Sequence, residues 1–69
     1  MKFEEAFKHM REGNKITRKS WSLILGCPQY YCIRNGKVMF YSGIEFYEYI
    51  SLKDSLAEDW EVIGKNEEQ

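Results

Sequence analysis

The sequence predicts a single α+β domain: an N-terminal helix packed on a small antiparallel β-sheet, assembled as a homo-oligomer. Three observations lead there. Phe3, Ala6, Phe7 and Met10 recur at i, i+3, i+4 and i+7, one apolar stripe on a helix. Asn35-Gly36 stands between two alternating runs, "YYCIR" and "KVMFY", which is a strong hairpin cue. The chain has only 69 residues. A domain that small buries only about 60% of its unfolded surface and usually needs a staple.

The helix is expected over residues 2–12. Glu4 and Glu5 fall in its first turn and Lys8 and Arg11 later, as the helix dipole favours. Gly13 is the expected stop. His9 borders the apolar stripe and reads as a surface residue, because no partner for a catalytic base lies nearby. "NKITR", 14–18, predicts a short strand with Ile16 inward, and "WSLILG", 21–26, a second one. "CP", 27–28, then turns the chain, since the residue before a proline avoids helix.

A two-residue Asn-Gly loop fixes the register of the flanking strands. It sets Arg34 against Lys37, Ile33 against Val38, Cys32 against Met39, Tyr31 against Phe40 and Tyr30 against Tyr41. One face then carries Tyr31, Ile33, Val38 and Phe40, and the other Tyr30, Cys32, Met39 and Tyr41. Both are largely apolar, and one short helix covers only one of them. The second face should meet another part of the chain or another subunit. "IEFYEYI", 44–50, reads as an extended stretch with Ile44 and Phe46 inward. "SLKD", 51–54, fits a capping box with Asp54 at N3, leading into a short helical turn. "DWEVI", 59–63, reads as the last strand, with Trp60 and Val62 on one side. The expected organisation is one domain over 1–64 and a polar tail over 65–69.

Composition removes several function classes. Ten basic residues face eleven acidic ones, so the chain lacks the basic field that non-specific nucleic-acid binding needs. One His and two Cys do not make a tetrahedral metal site. No apolar stretch approaches the roughly 20 residues of a membrane span. Residues 1–15 carry charge throughout, unlike a secretory leader, so the expectation is a cytoplasmic protein with reduced thiols. The serines lack a nucleophile elbow, and no glycine-rich phosphate loop occurs. Glu58, Asp59 and Glu61 read as a solvated acidic edge. The expectation is therefore no enzyme and no cofactor.

Binding is the better prospect. Arg18 and Trp21 stand three residues apart. An arginine offers a planar fork to phosphate, and a tryptophan offers a face to a purine. Trp21 reads also as a core residue, as does Trp60, which shares its side with Val62. Asp59 could accept from ribose hydroxyls or cap its own turn.

The segments "FEEAFKHMREGNKITRKSW", 3–21, and "SLKDSLAEDWEVI", 51–63, carry a resemblance. In order they hold Phe-x-x-Ala-x-x-x-Met-x-x-Gly, then Arg-x-x-Trp, then Asp-x-Leu-Ala-x-Asp-Trp-Glu. The chain resembles the small phage and bacterial domain that acts against Thoeris defence, the cyclic-ADP-ribose sponge family. The resemblance implies a non-catalytic protein that forms dimers or tetramers and holds a cyclic ADP-ribose isomer where protomers meet. It would act in the host bacterial cytoplasm, withholding an immune messenger without degrading it. Some relatives also take cyclic di- or trinucleotides at a separate site. The Arg-x-x-Trp element carries the binding role onto Arg18 and Trp21, and the terminal element matches Asp59 and Trp60. Between Trp21 and Asp54 the chain is shorter than many members. The alternative expectation is a small phage interaction protein that binds and inhibits a host protein through its aromatic surface.

Overall fold

Helix α1 spans Phe3–Arg11 and presents the stripe read from the sequence. Ala6 and Met10 are buried, and Phe3 and Phe7 pack at the rim of the same core. The helix ends where Gly13 takes a positive φ of 98°, and its N–H donates to the Met10 carbonyl at 3.1 Å. This is a computed structural model, and it describes residues 1–23 and 29–66.

Five strands form one antiparallel sheet. They are β1 (Asn14–Arg18), β2 (Tyr30–Arg34), β3 (Lys37–Tyr41), β4 (Phe46–Tyr47) and β5 (Trp60–Lys65), ordered β4-β3-β2-β1-β5. β2 and β3 pair in the register that sets Tyr30 against Tyr41 and Arg34 against Lys37. The residues between them, Asn35 and Gly36, both have positive φ, 55° and 76°. That backbone twist matches the twist of the paired strands, and Asn and Gly adopt it at little cost. One face of the sheet packs on α1 through Ile16, Tyr31 and Trp60, with Ile33, Val38 and Phe40 at the edge of the cluster.

The opposite face meets other parts of the same chain, one of the two outcomes expected for it. Cys32 is fully buried within a single chain. Beside it Tyr30 stacks on Tyr41 with ring centroids 5.1 Å apart, and Phe46 from β4 lies 4.8 Å from Tyr41. Lys15 and Arg34 lie over the Tyr30 and Phe46 rings. This face is thus largely served by the chain itself and does not by itself call for a second subunit.

Three expectations are corrected. Residues 19–23, placed partly in a second strand, form a single 3₁₀ turn instead; residues 24–26 and the "CP" turn lie outside the described residues. Asp59 sets this turn: its carbonyl accepts from the Lys19 N–H at 2.9 Å and its Oδ2 accepts from the Ser20 N–H at 3.2 Å. Ile44 points outward, 87% exposed, because only Phe46 and Tyr47 of its segment pair with β3. Helix α2 spans Leu52–Ser55, but Ser51 makes no side-chain cap and Asp54 is turned to the sheet. β5 continues to Lys65, and Asn66 is buried, its backbone N–H donating to Gly13 O at 2.7 Å and its Nδ2 to Ile33 O at 2.8 Å.

Candidate functional site

Arg18 ends β1, Trp21 sits in the 3₁₀ turn, Asp59 immediately precedes β5 and Trp60 opens it. Arg18 and Trp60 are direct partners in the β1–β5 ladder, so their side chains leave the same face. The turn then brings Trp21 back over them. The four residues singled out in the sequence therefore meet in one place.

The guanidinium of Arg18 is the hub. Its Nε donates to Asp59 Oδ1 at 2.7 Å and its Nη1 to Asp54 Oδ1 at 3.0 Å. Its Cζ lies 5.9 Å from the Trp21 ring centroid. Two of its five N–H groups are engaged by these carboxylates. The Arg18 hydrogen bond, helped by the Ser20 N–H, holds the Asp59 carboxyl below its ordinary range against the opposing effect of burial. The Asp59 hydrogen bond in turn holds the Arg18 proton more tightly than usual. One guanidinium between two carboxylates leaves a formal charge of −1 on the trio, and this bears on how an anion could enter.

Behind the ion pairs stands an aromatic wall. Trp21 packs against Tyr31, Phe40 and Trp60 at centroid separations of 5.8, 5.7 and 5.7 Å, edge-on to the last two. Trp60 is 1% exposed, and its indole N–H donates to the Asp54 carbonyl at 3.1 Å. In this chain it supports the wall and offers no open face. Trp21 is only half-buried. Tyr31 donates its hydroxyl to Asp54 Oδ2 at 3.0 Å and accepts from the Ser51 N–H at 3.3 Å. Burial pushes its hydroxyl far above the ordinary phenol range.

Asp54 and Tyr31 were not singled out as site residues. Asp54 looked like a helix cap, and Tyr31 like core. Only the fold shows that the start of α2 lies beside β1 and β2. The acidic trio is also split: Asp59 faces Arg18, whereas Glu58 is exposed and Glu61 pairs in the ladder opposite Thr17.

Residues 1–63 match the model of the Thoeris anti-defense 2-like domain, Tad2-like. The chain belongs to the Tad2-like family. Neither curated proteins nor solved structures yield a significant match. The Tad2-like match spans all four candidate residues and supports a role against Thoeris defence. Among the described residues no cluster of three or more His, Cys, Asp or Glu is placed to hold a metal ion. Among them, too, no helix is long and apolar enough to cross a membrane.

Proposed function

We propose that this Tad2-like protein is a non-catalytic binder that sequesters a cyclic nucleotide immune messenger, a cyclic ADP-ribose isomer, and so blocks anti-phage signalling in the host cytoplasm. The observation that carries the reading is the convergence of Arg18, Trp21 and Asp59 at one edge of the sheet. Trp21 supplies a ring for stacking on adenine, with Trp60 fixing it from behind. Arg18 directs its remaining N–H groups to the pyrophosphate, and Asp59 accepts from ribose hydroxyls. The two carboxylates on Arg18 hold the guanidinium in place before ligand arrives. They also weaken its pull on phosphate, so a second source of positive charge is needed.

A second copy of the chain would supply it, in a homo-oligomeric assembly with ligands along the seams. The support is that Ile44, Leu52 and Leu56 are 87%, 77% and 73% exposed and Ile50 is 42% exposed. Large apolar side chains left in water are typical of interaction surfaces. The same residues favour the second reading, inhibition of a host protein through a direct contact.

A thermal-shift screen over cyclic ADP-ribose isomers and cyclic di- and trinucleotides, run beside native mass spectrometry, tests both. A messenger at 100 times its Kd adds about 2.7 kcal/mol of stability. A flat melting profile for every nucleotide, with a monomeric mass, would leave only the second reading.

A further inference from the structure

Phe40 belongs to two ring clusters. One is the Trp21 wall. The other opens to solvent. Phe40 and Tyr47 are direct partners in the β3–β4 ladder, so their rings leave the same face. Tyr49 stands at 66° to Phe40 with centroids 5.9 Å apart, so these rings form two walls of a corner. Together with Glu48 they line an open cavity of about 450 Å³. That is within the usual range for small-molecule sites. Tyr47 and Tyr49 are 47% and 51% exposed.

The charges around this corner decide what it takes. Tyr47 donates its hydroxyl to Glu45 Oε1 at 2.8 Å. A phenol that donates to a carboxylate pushes electron density into its ring and makes the ring face more negative. Glu48 places a carboxylate in the lining of the corner, with Lys37 Nζ 3.9 Å away and both side chains more than 60% exposed. An anion would meet the Glu48 carboxylate and electron-rich ring faces there. A purely apolar guest would crowd that carboxylate's water without compensation. An organic cation satisfies both features, since its alkyl groups fill the ring walls while its charge faces the rings and Glu48. A methylated ammonium suits the corner better than a bare one, because it sheds less water on entering.

We infer that the corner formed by Phe40, Tyr47 and Tyr49 binds a small quaternary or methylated ammonium ion, with Glu48 as its counter-charge. This site shares Phe40 with the Trp21 wall but none of the Arg18 ion-pair residues, and it does not depend on the nucleotide reading.

Choline chloride titrated into the full chain, followed by amide chemical shifts, tests it. The matched control is 3,3-dimethylbutan-1-ol, the neutral isostere, with sodium chloride holding ionic strength. Saturable shifts centred on residues 40 and 47–49 are expected, with the alcohol at least fivefold weaker. Tyr49→Leu should weaken choline at least fivefold. Glu48→Gln, at an exposed position that leaves the fold intact, should weaken it about threefold, and Lys37→Met should tighten it. Equal binding of the alcohol, shifts centred elsewhere, or no saturation would each overturn the assignment.

Discussion

Arg18→Met is the sharpest perturbation of the site. Methionine keeps most of the aliphatic stem against Trp21 but removes both ion pairs. Arg18 and Asp54 are 19% and 15% exposed at the side chain, and Asp59 is 32% exposed. A hydrogen bond to a charged group contributes about 1.5–3 kcal/mol when sheltered, and a surface ion pair about 0–1. The Asp54 contact lies near the lower end of the sheltered range. The Asp59 contact is discounted for solvent, to about 1 kcal/mol. The expected loss is about 2–3 kcal/mol, or roughly 8–24 °C in Tm for a domain of this size. Urea unfolding at pH 7, followed by circular dichroism, measures it. A double-mutant cycle with Asp59→Asn should return a coupling of about 1 kcal/mol.

The sign of the pH dependence is a second reading of the same pair. The Asp59 carboxyl is held below its ordinary 3.8, so the unfolded chain binds the proton more readily. The stabilisation is therefore present above about pH 4 and is lost as pH falls through the lower, folded value. Arg18→Met should flatten that acid limb. A loss under about 0.5 kcal/mol, zero coupling, or an unchanged acid limb would refute the claim that Arg18 organises the site.

Other perturbations have distinct signatures. Tyr31→Phe should cost about 1–2 kcal/mol at pH 7, because Asp54 loses a donor and the Ser51 N–H an acceptor. The raised Tyr31 hydroxyl pKa also means that wild-type stability falls as pH rises above about 10, and the variant should lose less there in alkaline denaturation. Gly36→Ala meets open space but keeps a φ of +76°, so chemical unfolding should show a backbone penalty of about 1–2 kcal/mol. Leu52→Lys with Leu56→Lys replaces two side chains exposed at 77% and 73%, so the monomer fold should survive while sedimentation shows the proposed assembly reduced to monomer.

The parts of the fold set by local pattern were legible in the sequence. The stripe from Phe3 to Met10 defined α1, and the two-residue spacing at Asn35-Gly36 fixed which residues of β2 and β3 face each other. Legibility failed where a long-range partner overrode a local preference. The stretch from Trp21 looked like a strand by composition, but Asp59, distant in sequence, captures the Lys19 and Ser20 N–H groups and tightens the chain into a turn. Asp54 fitted a capping box, yet Arg18 and Tyr31 offer its carboxylate charge and shelter that a cap cannot. Nothing in a polar sequence announces the contacts of Asn66 to Gly13 and Ile33. In the candidate cluster, Arg18, Trp21, Asp59 and Trp60 are the residues that spacing and family pattern single out, whereas their contacts with Tyr31 and Asp54 emerge only once β1, β2 and α2 are brought together.

Ligand recovery after heating tests the central claim most directly. The protein is mixed with a cyclic ADP-ribose isomer, freed of unbound nucleotide by filtration, denatured at high temperature and cleared, and the released nucleotide is analysed by chromatography. Sequestration predicts the intact isomer in stoichiometric proportion to protein. A converted product, or nucleotide that passes entirely into the filtrate before heating, would contradict it.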